Sequence, residues 1–144
     1  MKSLFVILIL LANSIFVEAQ IDTLTPIELR EGSLNDQVFT ICEVMPEYGE
    51  GGSAALMKFL STNIKYPDYS MDNGLEGTVF ISFVVNKKGS LEDIRPIREV
   101  SGAPDLTLEA IRVIKLTEGK WKPGMQNGKL VKVNYNLPIK FKLQ

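Results

Sequence analysis

The sequence predicts an α+β domain: a three-stranded antiparallel sheet with two helices packed on one face. Three observations carry that expectation. From Val131 every odd position to Leu143 is apolar, while the even positions are Lys132, Asn134, Asn136, Pro138, Lys140 and Lys142. Alternation of period two describes a long strand with one buried and one wet face. The run Thr78–Val85 is apolar on both faces, as in a strand covered on both sides. Two stretches, Ala54–Asn63 and Asp105–Thr117, carry apolar residues at helical spacing.

The chain of 144 residues has room for one domain once its first residues are set aside. Residues 1–19 read as a signal peptide. Lys2 gives a short positive start, Leu4–Leu11 is unbroken and apolar, and Val17-Glu18-Ala19 places small residues where a signal peptidase cuts. The competing reading is a retained inner-membrane anchor facing the periplasm. Leu4–Val17 is interrupted by Asn13 and Ser14 and falls short of the roughly 20 residues a membrane helix needs. Export makes the single cysteine informative: Cys42 has no partner for an internal disulfide and is expected to pack as a small apolar residue.

Residues 20–42 read as a flexible lead-in, with a short strand within Val38–Val44, and residues 43–144 as the folded domain. Met45-Pro46 and the glycines from Gly49 to Gly52 interrupt regular structure. Ser53 is placed to cap the first helix, on which Leu56, Phe59, Leu60 and Ile64 share a face. Pro67 ends it, and Asp68–Asn73 has room for one more helical turn before Gly74. Thr78–Val85 follows, then the hairpin turn Asn86-Lys87-Lys88-Gly89 and a returning strand within Ser90–Val100. The helix from Asp105 stops at Gly119. Trp121 is positioned to seal the end of the core before the turn signals Pro123-Gly124 and Asn127-Gly128.

Proline orders the sheet, because it cannot donate to a ladder and belongs on edges. Pro96 sends the second hairpin strand to one edge and Pro138 sends the last strand to the other, with Thr78–Val85 between them. Phe80 and Val84, opposite the main core face, are expected to be covered by the lead-in or by the loop before the first helix.

Charge is lopsided. Residues 20–78 hold ten acids against three bases, and residues 79–144 hold twelve bases against six acids. Nucleic acid does not fit an exported chain whose lysines lack interleaved exposed aromatics. Enzyme chemistry lacks its usual general base, since there is no histidine. Glu92-Asp93 beside a hairpin is a solvated pair, and the acidic Gly49–Gly52 loop has the wrong sign for a phosphate cradle. No cofactor and no metal are expected.

Tyr66-Pro67, then Gly77-Thr78-Val79 leading into Phe83-Val84-Val85 and Lys88-Gly89, then a helix and Trp121-Lys122-Pro123-Gly124, together resemble the TonB C-terminal domain. Met45-Pro46-Glu47 and Leu137-Pro138 add to the likeness, which spans Glu43 to Leu143. The resemblance implies a non-enzymatic periplasmic module of the TonB-dependent transport system. Such a module binds an extended segment of an outer-membrane receptor by β-strand addition. The same resemblance leaves pairing of two copies through exposed strands open, and brings in ExbB and ExbD only if the N-terminus stays anchored in the membrane.

Two departures stand out. Tyr48-Gly49-Glu50-Gly51 differs from the aromatic-Pro-Gly-Gly sequence usual in the family. About twenty residues, at roughly 3.3 Å each, separate the apolar segment from the domain, too few for an arm across the envelope. The alternative function is therefore a soluble envelope-binding module that transmits no force. For the docking edge, the alternation assigns Lys132, Asn134 and Asn136 to the free side of the last strand. Pairing would stop near Pro138, where the donor is missing. Lysines and proline also serve to guard edges against strand addition, so an ordinary protected terminal strand has the same pattern.

Overall fold

A computed structural model describes residues 37–144; the signal-peptide assignment and most of the lead-in lie outside the described residues. The elements in chain order are β1 (Val38–Phe39), β2 (Glu47–Tyr48), α1 (Gly52–Asn63), α2 (Asp68–Asp72), β3 (Gly77–Val85) and β4 (Leu91–Arg98). They are followed by α3 (Pro104–Lys115), β5 (Trp121–Lys122), β6 (Gly124–Gln126) and β7 (Lys129–Phe141).

The three long strands stand as the prolines order them, with β3 between β4 and β7 and antiparallel to both. The expected three-stranded sheet is nonetheless too small. β1 pairs in parallel with β7 and β6 pairs with it antiparallel, giving five strands, and β2 with β5 forms a separate ribbon. A proline restricts the ladder only at its own position, so Pro138 left the start of β7 free to take partners. The Asn127-Gly128 turn supplies one of them. Both residues have positive φ, 51° and 71°, and this folds Gly124–Gln126 back along Lys129–Val131.

The helical turn expected at Asp68–Asn73 is present as α2, Asp68–Asp72, and brings the helices to three where the fold expectation named two. Ser53 is not the cap of α1. Gly51 takes the cap position and Gly52, at φ 54°, opens the helix two residues earlier than expected, with no side-chain hydrogen bond to cap it.

One face of the sheet carries the core. Val79, Ile81, Phe83 and Val85 of β3 and Leu137, Ile139 and Phe141 of β7 meet Leu56 and Leu60 of α1 and Leu106, Ala110, Val113 and Ile114 of α3. These side chains come from the odd strand positions and helical stripes that the sequence marks, so their burial is the main stabilising term. Trp121 closes one end of the core against Phe83, Tyr135 and Tyr48, at ring-centroid distances of 5.4, 5.2 and 5.7 Å.

On the opposite face Val84 is buried but Phe80 is only half-buried. Most of the lead-in expected to cover them lies outside the described residues. The Arg98 guanidinium lies over the Phe80 ring at 5.7 Å, and the Lys132–Glu92 ion pair, 3.3 Å, spans β7 to β4 across β3. Cys42 is a half-buried free thiol, its Sγ donating to the Val44 carbonyl at 3.0 Å.

Candidate protein-docking edge

β7 is long because its alternation persists from Val131 to Phe141, and it is straight-paired to β3 from Val133–Val85 through Phe141–Gly77. Pro138 stands opposite Phe80. Lacking an N–H, it cannot donate toward β3, so an unbroken ladder there runs through the odd positions of β7. The peptide groups of the even positions then point to the outer side.

β1 takes the start of that outer side, pairing with Lys132 and Val133, while β6 pairs with Lys129, Leu130 and Val131 through the odd positions, on the side of β3. Beyond Val133, no strand among the described residues pairs with the outer edge, leaving Asn134–Phe141 open. Of the four residues read as docking positions, Asn134, Asn136 and Pro138 fall on this open stretch. Lys132 does not, because Val38 already faces it. The sequence signal for β6 was the Asn-Gly turn. For β1 the apolar run Val38–Val44 gave the expectation of a short strand, and β1 lies within it at Val38–Phe39, but two residues carry no pattern that announces a parallel pairing with β7.

The side chains of the even positions share the wet face. The Ser82 hydroxyl donates to Asn134 Oδ1 at 2.9 Å, and Asn134 Nδ2 donates to Asn136 Oδ1 at 3.3 Å. These contacts hold the two amide side chains over the sheet and leave their backbone groups at the edge. Asn136, Pro138 and Lys140 are exposed. Lys132 Nζ and Asn86 Nδ2 both reach Glu92, at 3.3 and 3.0 Å. The bond from Asn86 first, and then that from Lys132, hold the Glu92 carboxyl below the usual carboxylate range. Lys140 and Lys142 have no ion-pair partner among the described residues. The far end of the open stretch thus carries two lysines, with the Glu76 carboxylate nearby accepting from the Leu143 amide at 2.6 Å.

On the core side of the same edge the rim is aromatic. Tyr135 is half-buried and stacks on Phe83, with centroids 5.5 Å apart and 26° between planes, and Tyr66 meets Phe141 edge-on at 5.8 Å. An extended chain laid along Asn134–Phe141 would meet backbone donors and acceptors at its main chain. Its side chains would meet an aromatic rim on one face and amides with Lys140 on the other. Among the described residues no group of three or more Cys, Asp or Glu could hold a metal ion, and no helix is long and apolar enough to cross a membrane.

These features define a small α+β domain with an open strand edge. A model of the family described as Gram-negative bacterial TonB protein C-terminal matches residues 62–143, and the chain belongs to that family. The match begins near the end of α1 and takes in α2, β3, β4, α3 and nearly all of β7. Two solution structures of the Helicobacter pylori TonB C-terminal domain are similar. The one spanning residues 179–285 is 27% identical, covers 67% of this chain and 89% of its own, and has a TM-score of 0.48. The one spanning residues 194–285 is 24% identical, covers 62% and 90%, and also has a TM-score of 0.48. Among curated proteins no match is found.

Proposed function

We propose that this chain acts in the TonB-dependent transport system as a periplasmic docking module, taking an extended segment of an outer-membrane receptor onto β7 by strand addition. The observation that carries this reading is the unpaired outer stretch Asn134–Phe141 of a strand whose inner side is paired throughout with β3. Family membership supports the setting, and the lysines Lys140 and Lys142 favour an acidic segment. Main-chain pairing would supply affinity, and alternate side chains would supply choice of partner. The role requires no catalytic group.

Strand addition here is tested by an amide-resolved titration with a receptor-derived peptide, using wild type and Asn136→Pro. Asn136 is exposed, so proline removes an edge donor at little cost to the core. Shifts confined to Asn134–Phe141 in wild type and lost in the variant are expected. Binding that persists in a folded Asn136→Pro protein would reject this edge in favour of the outer side of β4.

A second reading is a soluble binding module that transmits no force. The short separation between the apolar segment Leu4–Val17 and the domain favours it. Mass spectrometry of the mature N-terminus decides between them. A chain beginning near Gln20 has no inner-membrane anchor, whereas a chain that retains Leu4–Val17 could be coupled to ExbB and ExbD.

A further inference from the structure

β1 occupies the same outer edge of β7 on which the docking stretch lies. Val38 registers with Lys132 and Phe39 with Val133, and the chain bends away at residues 40–41. The pairing is two residues long, Val38 is 44% exposed and Phe39 is only half-buried. Little apolar surface holds β1 in place.

A few residues later the lead-in is fastened a second time, and more firmly. Val44 and Met125 exchange backbone hydrogen bonds at 3.1 and 2.9 Å. The Glu43 amide donates to Gln126 Oε1 at 3.0 Å, and the Glu43 carboxylate accepts from Gln126 Nε2 at 3.3 Å and from the Asn127 amide at 3.2 Å. The turn between β6 and β7 is thereby clamped by Glu43, not by β1. None of these bonds involves Val38 or Phe39, and neither residue belongs to the buried core.

We infer that β1 is a displaceable occupant of the docking edge, giving way to a partner strand whose pairing runs past Asn134 onto Lys132 and Val133. The inference rests on the reading of Asn134–Phe141 as the docking stretch and adds an internal competitor to it. A short partner adds beside β1 and is indifferent to it. A long partner must replace β1, so its apparent affinity is reduced by the fraction of molecules in which β1 is paired. The partner that fits is an extended segment with acidic side chains on the wet face, where Lys132 and Lys140 lie.

The test uses the full chain and synthetic peptides that alternate glutamate and valine. One, of about seven residues, fits within the open stretch, and the other, of about eleven, overruns it at a strand rise near 3.3 Å per residue. Wild type is compared with the double variant Val38→Pro, Phe39→Pro. In the free proteins, faster exchange of the Lys132 amide in the variant, with Met125 unchanged, confirms that β1 alone is released. The long peptide is expected to bind the variant at least about threefold more tightly than wild type, and the short one to bind both alike. In wild type the long peptide should also shift the Val38 and Phe39 amides and deprotect them.

Equal affinities of the long peptide for both proteins, with Val38 and Phe39 unmoved, would overturn the competition while leaving the docking edge standing. Absence of any shift in Asn134–Phe141 with either peptide in either protein would overturn the docking reading itself, and this inference with it.

Discussion

The indole N–H of Trp121 donates to the hydroxyl of Thr117 at 3.0 Å, and that hydroxyl donates in turn to the Ile114 carbonyl at 2.6 Å. The chain ties the last turn of α3 to the first residue of β5, across the connection that returns the polypeptide to the sheet. Both side chains are buried, and the indole ring is enclosed by Tyr48, Phe83 and Tyr135. Trp121 is therefore a packing residue, and its polar atom is satisfied internally. Replacing Trp121 with Ala is expected to cost about 3–5 kcal/mol. Thr117→Val leaves the indole donor unpaired in the core, and about 1–3 kcal/mol is expected there. Urea midpoints measure both. Unchanged stability with lost peptide binding would instead make Trp121 part of the docking surface.

Gly89 closes the β3–β4 turn at φ 78°, and its amide donates to the Asn86 carbonyl at 3.0 Å. A Cβ built there would lie 2.1 Å from the carbonyl oxygen of Trp121. Only glycine fits, both because of the angle and because another backbone occupies the space. Gly89→Ala is expected to destabilise by more than about 1 kcal/mol, and to shift the Trp121 indole resonance as β5 moves. An Ala variant with wild-type stability and an unmoved indole would contradict this packing.

The long elements were legible in the residues because each has a periodic pattern tied to one buried face. Val79, Ile81, Phe83 and Val85 alternate into the core. Leu106, Ala110, Val113 and Ile114 do so at helical spacing. Edge order was legible from Pro96 because a missing donor is a local, absolute constraint. The short elements were legible only in part: a short strand was expected within Val38–Val44, where β1 is Val38–Phe39, but its pairing with β7 was not. β1 and β6 owe their place to β7, and β2 owes its place to β5, with Glu47 opposite Lys122 and Tyr48 opposite Trp121. No segment of two or three residues carries enough alternation to announce such a pairing. The alternation that picks Asn134 and Asn136 also picks Lys132, and only the tertiary pairing with Val38 sets Lys132 apart from them.

Phe80 shows what covers the second face of β3. Its partners across the ladders are Pro138 and Arg98, and the Arg98 guanidinium lies over its ring. A half-buried ring roofed by an exposed charged side chain contributes less than a core phenylalanine. Phe80→Ala is expected to cost about 1–2 kcal/mol, below the roughly 3–5 kcal/mol of a fully enclosed site. Arg98→Ala should cost about 0.5–1 kcal/mol through the exposed cation–π contact. The two losses should be non-additive in a double-mutant cycle, because each removes the same contact. A Phe80→Ala loss as large as that of Phe83→Ala would show a cover that the contact with Arg98 does not provide.

Asp105 joins α2 to α3. Its carboxylate accepts from the Ser70 amide at 3.0 Å and the Ser70 hydroxyl at 2.5 Å, and from the Leu106 amide at 3.1 Å, while Ser70 itself is fully buried. Partial desolvation pushes the Asp105 carboxyl upward, but the bonds from Ser70 and from the backbone amides outweigh it and hold the group below its ordinary range. Its place in the first turn of α3 adds to the preference for negative charge. The folded state therefore binds this proton less readily than the unfolded chain. A depressed carboxyl contributes stability that is present above its unfolded value and is lost as pH falls through the folded one. Wild type should accordingly exceed Asp105→Asn in stability at neutral pH, with a constant difference down to about pH 5. That difference should narrow as pH falls below about 4, where carboxylates protonate. Ser70→Ala should show the same pH dependence with a smaller amplitude, since the two amide donors remain. Denaturant titrations of the three proteins between neutral and acidic pH measure it. A stability difference between wild type and Asp105→Asn that stayed constant to pH 2.5 would mean that the Asp105 charge contributes nothing to holding α2 against α3.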